Sequence, residues 1–179
     1  MIRPLLAVLL GAVLFAGCCG AARCDYQDER ADALFFQFAD TTAGSQGFRP
    51  ADIDTIVIER YALRDTPRVN KPDTLRLIRT RTDAYSPLVI DNASPFGAQV
   101  GRKLSDYRYV LLLPGRRRPA RRVERFTITS IQLDGKLEAD GCCTYYRNTS
   151  KSFLLNGRQV DAYDPTNDDQ RVTVKLQRP

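Results

Sequence analysis

The sequence predicts an all-β protein built as a single antiparallel β-sandwich. Short runs of β-branched and aromatic residues, several of them alternating with polar residues, recur along the chain. Turn dipeptides separate these runs, and Asn156-Gly157 is the strongest hairpin signal among them. No segment shows a convincing helical pattern, and 179 residues, 43% of them hydrophobic, suffice for one soluble domain.

The first predicted strand is the Phe-rich run 33–38, ALFFQF. Its apolar residues fit both strand and helix spacing, and the three Phe side chains favour a strand. The run 172–177 alternates apolar and polar residues most regularly, which predicts a half-buried strand. The other predicted strands are 54–63, 74–82, 86–90, 107–113, 124–133, 152–155 and 158–163.

Along the predicted strand 124–133, the apolar residues that point inward shift from even-numbered to odd-numbered positions. Phe126 lies on the predicted inward face, and so does Ile131, an odd number of positions later. A β-bulge near Ser130 accounts for this shift, because one extra residue turns the following side chains to the other face. The dipeptides Asp134-Gly135 and Asp140-Gly141 predict turns after this strand.

Two residue types are absent, and each absence excludes a class of protein. Without His, the chain has no Ser-His-Asp triad, no Cys-His pair and no His-ligated zinc. Without Trp, it lacks the Cys-Trp-Cys hallmark of a true immunoglobulin domain. We therefore expect a looser immunoglobulin-like or transthyretin-like sandwich, with a small barrel as the alternative. We expect a protein that is not an enzyme and holds no metal or cofactor.

Residues 1–17 have the pattern of an export signal. After a positive start, the apolar run 5–16 is too short to span a bilayer but suits a signal peptide. It leads into Leu14-Phe15-Ala16-Gly17-Cys18, which resembles the lipobox of bacterial lipoproteins in having small residues directly before a Cys. The resemblance implies that Cys18 is lipidated and becomes the first residue of the mature protein. Cleavage after Ala22, which leaves a soluble secreted protein, is the alternative.

The predicted organisation has three parts: a signal peptide at 1–17, a polar tether at 18–30 and the β-sandwich domain at 31–179. The lipoprotein resemblance implies a bacterial cell-envelope location, with the protein anchored to a membrane through its N-terminal lipid. The domain then faces the periplasm or the outer membrane.

The cysteines suit an exported protein, which folds in an oxidising compartment. Once Cys18 carries lipid, four Cys remain, including the adjacent pair Cys142 and Cys143. We predict a long-range disulfide from Cys24 to one member of that pair. The alternatives are a bond within the adjacent pair, or thiols that stay reduced.

The positive charge is concentrated in one segment. Residues 101–125 hold nine basic residues and two acidic ones. Arg side chains pair well with phosphate and carboxylate, so this segment is a candidate contact for anionic lipid, lipopolysaccharide or an acidic glycan. No nucleic-acid-binding module accompanies it, and a solvated loop is the simpler interpretation. Its centre is a predicted hairpin tip at 115–122, here called the Arg-rich turn, with Arg116, Arg117, Arg118, Arg121 and Arg122.

Two further sets of residues carry weaker functional signals. The acidic loop 161–169 offers oxygen ligands for calcium but lacks the EF-hand spacing, so a solvated turn is the better interpretation. Ser150 and Lys151 directly precede the predicted strand 152–155, and adjacent side chains of extended chain point to opposite faces. They are therefore not expected to act as a Ser-Lys nucleophile pair.

These patterns predict a lipoprotein whose β-sandwich binds or assembles with a partner without catalysing a reaction. The identity of a protein partner is not indicated. The alternative is a carbohydrate-active enzyme or carbohydrate-binding accessory protein that uses Asp and Glu side chains. A glycosidase of this kind requires two carboxylates about 5–10 Å apart in a cleft.

Overall fold

The computed structural model of the chain describes residues 28–63, 71–114, 123–164 and 171–178. These residues form two β-sheets, and the predicted all-β sandwich is confirmed. Short 3₁₀ turns at Thr41–Gln46, Pro50–Asp52 and Leu104–Asp106 lie between the strands. The elements are α1 (Asp28–Ala31), β1 (Leu34–Phe38), β2 (Thr55–Ala62), β3 (Asp73–Ile78), β4 (Leu88–Ile90), β5 (Tyr107–Leu113), β6 (Glu124–Asp140), β7 (Cys143–Leu155), β8 (Arg158–Asp161) and β9 (Thr173–Leu176).

The larger sheet has six antiparallel strands in the order β3-β2-β5-β6-β7-β8. Its edge strands β3 and β8 do not pair with each other, so the sheet is open and not closed into a barrel. The smaller sheet has the order β4-β1-β9, in which β1 is antiparallel to β4 but parallel to β9. A parallel pair needs a long crossover, and here the strands of the larger sheet lie between β1 and β9 in sequence.

Aromatic rings of β1 fill the space between the two sheets. Phe36 packs edge-on against Phe153 of β7, with ring centroids 5.6 Å apart. Phe38 packs against Phe126 of β6 at 6.2 Å. All four side chains are at most 2% exposed, so they form the centre of the core. β1 therefore lies across the larger sheet and packs on the last part of β7 and the first part of β6.

Two β-bulges shape the β6–β7 hairpin. In the first, Ser130 and Ile131 face a single residue of β7, and Ser130 has a φ of 52°, which confirms the bulge predicted near Ser130. In the second, Thr149 is the extra residue of β7. A bulge turns the following side chains over, so Asn148 and Lys151 are both buried although they are an odd number of positions apart.

Beyond these bulges, β6 and β7 continue as a two-stranded arm, residues 135–147. Among the described strands, this part of each strand pairs only with the other. The prediction of a turn at Asp134-Gly135 is wrong, because β6 continues through both residues. The prediction of a turn at Asp140-Gly141 is confirmed. A Cβ at Gly135 would lie 2.4 Å from the Tyr146 ring. This glycine therefore lets the aromatic ring lie against the strand and does not reverse the chain.

Candidate functional site

The structure covers only some of the predicted site residues. Cys18, Cys24 and the five arginines of the Arg-rich turn lie outside the described residues, so their roles stay predictions. Cys142 and Cys143 lie at the tip of the arm, where β6 turns into β7. Cys143 is buried, and neither residue lacks an interaction partner.

The strands on both sides of the Arg-rich turn define where it begins and ends. Leu113, the last residue of β5, pairs directly with Glu124, the first residue of β6. Because β5 and β6 are antiparallel neighbours, the connection between them starts and finishes at the same end of the larger sheet. Val123 and Arg125 adjoin it and are both exposed.

The outer face of the larger sheet carries basic side chains next to this connection. The strand register places Arg76 of β3, Val57 of β2, Leu112 of β5 and Arg125 of β6 in one row across four neighbouring strands. Directly paired residues share a face, and the alternate residues of β2 point into the core. Both arginines are exposed, while the two aliphatic side chains are half-buried. The row, here called the Arg76–Arg125 row, therefore has a cation at each end and an apolar centre.

Glu59, which lies two residues after Val57 on β2, is already bonded to a neighbour. The Tyr61 hydroxyl donates to Oε2 of Glu59 at 2.8 Å, and this hydrogen bond raises the pKa of Tyr61. The Arg108 guanidinium lies 4.4 Å from the centroid of the Tyr61 ring. Among the described residues, no carboxylate forms an ion pair with Arg76 or Arg125. Both charges of the row are therefore available to a partner.

Arg60 is a buried cation that the sequence analysis missed. Its guanidinium lies 4.5 Å from the Phe96 centroid and 4.6 Å from the Tyr107 centroid, and one nitrogen is 2.8 Å from Oδ2 of Asp73. Arg60 continues the inward alternation of Ile56 and could have been found from that pattern. Its contacts are made inside the domain, which indicates a structural role.

A second buried cation holds the N-terminal segment against β7. Lys151 Nζ donates to the carbonyl oxygen of Ala33 at 3.1 Å, and the side-chain amide of Asn148 donates to the carbonyl oxygen of Ala31. Lys151 is only 1% exposed, and its burial lowers its pKa from 10.5 to about 8 against an opposing effect of the Asp32 carboxylate. These two side chains, here called the β7 clamp, attach the start of the domain to the larger sheet.

Arg178 makes the corresponding attachment at the other end of the sandwich. Its guanidinium donates to Glu124 at 3.1 Å, to Asp52 at 2.9 Å and to the carbonyl oxygen of Gly47 at 3.0 Å. The same group lies 4.5 Å from the centroid of the Phe48 ring. The C-terminal segment is therefore fixed close to the start of β6.

A polar pocket of about 240 Å³ lies beside β1 and β9. Asp40 is the one carboxylate in its lining, and its side chain accepts hydrogen bonds from the Thr42 hydroxyl and backbone amide, which lower the pKa of Asp40. Each Asp and Glu whose side chain the structure describes is at least partly exposed. Asp52 and Glu124 are two half-buried carboxylates that lie close together, but both are paired with the Arg178 guanidinium and neither lines this pocket.

The described ranges contain neither a group of side chains suited to a metal ion nor a helix suited to crossing a bilayer. No group of three or more Cys, Asp or Glu side chains there is arranged to hold a metal ion, and most of the acidic loop 161–169 lies outside the described residues. No helix in these ranges combines the length and apolarity that crossing a bilayer requires.

Comparisons of the chain with protein-family models, with curated proteins and with solved structures gave no match. Function is therefore inferred from the residues and their arrangement alone.

Proposed function

We propose that this chain is a lipid-anchored, non-catalytic binding module of the bacterial cell envelope that contacts anionic surfaces through its Arg-rich turn. The lipobox-like sequence ending at Cys18 supports the lipid anchor, and the β-sandwich supplies the binding module. The observation that carries the anionic contact is the direct pairing of Leu113 with Glu124. This pairing means that the connection that carries the five arginines leaves and re-enters the larger sheet at the same end.

Charge is the physical basis of this contact. Arg116, Arg117, Arg118, Arg121 and Arg122 lie within seven consecutive residues, and each basic residue near an anionic membrane contributes about 1 kcal/mol of attraction. Exposed charges are screened beyond about 8 Å at physiological salt, so the binding is weak and salt-sensitive. Exposed Arg125 extends the same charge onto the described part of the sheet.

The proposed disulfide from Cys24 to Cys142 or Cys143 completes the attachment of the tether to the domain. The β7 clamp holds Ala31 beside Asn148. Asn148 lies about 17 Å along the strand from Cys143, since a strand rises about 3.3 Å per residue. Because Asp28–Ala31 is helical and only the four steps before it can be extended, the stretch from Cys24 to Ala31 spans up to about 18 Å. Cys24 is therefore within reach of the tip of the arm, which supports the bridge.

The experiment is sedimentation of the mature chain with vesicles. Cys18→Ser is used as the starting protein, so that the lipid does not contribute to binding. We expect it to bind phosphatidylglycerol vesicles more tightly than phosphatidylcholine vesicles, and to release them as salt is raised. Changing Arg117, Arg118, Arg121 and Arg122 to Gln should abolish this preference. Unchanged binding by that variant would mean that the turn is only a solvated loop.

A further inference from the structure

We propose that the outer face of the larger sheet lies flat on an anionic lipid bilayer, with Arg76 and Arg125 on lipid phosphates and apolar side chains at the interface. This inference rests on the proposed function and deepens it. It names a docking face among the described residues, an orientation of the domain and one class of partner.

The Arg76–Arg125 row gives the face its shape and charge. Neighbouring strands lie about 4.8 Å apart, so the two arginines at the ends of a four-strand row are separated by about 14 Å between their Cα atoms. Val57 and Leu112 lie between them on the same face. Both arginine side chains are exposed and have no carboxylate partner among the described residues. The arrangement presents two available cations on one face of the larger sheet.

Exposed aliphatic side chains distinguish a bilayer from a soluble acidic polymer. Ile78, on the same face at the end of β3, is 79% exposed, and Val123, just before β6, is 48% exposed. An acidic polysaccharide would engage the arginines but gain nothing from these side chains. A bilayer interface accepts both, because apolar side chains enter the boundary of headgroups and acyl chains while cations contact phosphates.

The position of the N-terminal segment favours a domain that lies flat over one that stands on end. The β7 clamp holds Ala33 at one end of the sandwich, whereas the Arg-rich turn connects β5 and β6 at the other. A domain standing on its clamped end would hold the turn away from the anchoring membrane. With Cys24 bridged to the tip of the arm, the stretch from Cys18 to Cys24 spans up to about 21 Å. The arm belongs to the larger sheet, so the lipid and the outer face of that sheet can reach the same leaflet.

The test uses the mature chain with Cys18→Ser and vesicles of phosphatidylglycerol and phosphatidylcholine. Removing both row charges in R76Q/R125Q should weaken vesicle binding about 25-fold, since each arginine contributes about fivefold. Ile78→Ser should weaken binding to vesicles but not to polygalacturonate. The matched control is Arg158→Gln with Lys175→Gln, which removes two exposed charges elsewhere and should leave binding unchanged.

A fluorescence experiment tests the contact directly, because the chain contains no Trp. Ile78→Trp places a single fluorophore on the proposed face, and its emission should shift to the blue and be quenched by brominated lipid. Leu137→Trp is the control, since Leu137 is 70% exposed and lies on the arm, away from the Arg76–Arg125 row. Circular dichroism checks that each variant is folded.

Different results distinguish failure of this inference from failure of the proposed function. If the turn variant loses vesicle binding while R76Q/R125Q matches its control and the fluorophore of Ile78→Trp is not quenched, the face is not a docking surface, although the proposed function stands. If neither variant affects binding, both are overturned. If R76Q/R125Q weakens binding to polygalacturonate and vesicles equally and Ile78→Ser has no effect, the partner is an acidic polymer and the bilayer assignment is wrong.

Discussion

Replacing Lys151 by Met removes a buried charge while nearly conserving side-chain length. Lys151 has a pKa of about 8 in the folded protein and an ordinary value of 10.5. Below pH 8 the ammonium is charged in both the folded and unfolded chains, so its burial costs about 3 kcal/mol of folding stability. Met avoids this cost but leaves the Ala33 carbonyl without its donor, which costs about 1–2 kcal/mol. We expect Lys151→Met to be about 1–2 kcal/mol more stable than wild type at pH 7.

The pH dependence is the sharper part of this prediction. Between pH 8 and 10.5 the folded chain has released the Lys151 proton while the unfolded chain keeps it. The unfolded state then binds more protons, so wild-type stability rises with pH. From pH 7 to pH 9.5 the wild type should gain about 2 kcal/mol relative to Lys151→Met.

Urea unfolding of both proteins at the two pH values measures this difference. A change of 2 kcal/mol corresponds to about 1 M in the urea midpoint for a domain of this size. Lys175→Met, which removes an exposed lysine, is the control. Its free energy of unfolding should differ from that of the wild type by the same amount at both pH values. The reasoning is refuted if the free energies of unfolding of Lys151→Met and wild type also differ by the same amount at pH 7 and pH 9.5. Burial of the Lys151 charge would then not destabilise the folded protein.

Two further predictions concern residues near the N-terminus. Intact mass and detergent partitioning should show acyl chains on the wild-type protein and none on Cys18→Ser; a soluble wild-type protein beginning at Arg23 would contradict lipidation. Non-reducing peptide mapping should recover Cys24 in one peptide with Cys142 and Cys143, and reduction should destabilise the domain by up to about 4–5 kcal/mol because the bridge closes a loop of more than 100 residues. An alkylatable Cys24 in the oxidised native protein would exclude that bridge.

The strands could be predicted because their signals are local. The alternation in β9, the bulge at Ser130 and the hairpin at Asn156-Gly157 depend on neighbouring residues, and the structure confirms all three. Asp134-Gly135 misled the prediction because a glycine in a strand can serve close packing as well as a turn. Its partner Tyr146 is distant in sequence, so the local pattern carries no sign of the contact.

The candidate site was less predictable, because it depends on strand order. The charge of Arg76 and Arg125 is visible in the sequence, but their common row exists only because β2 and β5 lie between them. Lys151 was considered only as a neighbour of Ser150, and its burial depends on the second bulge and on a carbonyl from the start of the domain. Long-range pairing of this kind leaves no periodic signal in the sequence.

The β7 clamp also determines how a mechanical load would enter the fold. A pull on the N-terminal segment reaches Ala31 and Ala33 first, so the hydrogen bonds to Asn148 and Lys151 resist it before β1 does. β1 is the central strand of the smaller sheet and is bonded on both sides, to β4 and β9. A force along its axis would shear both sets of backbone bonds together instead of peeling away an edge strand. Tension on the tether is therefore shared by both sheets.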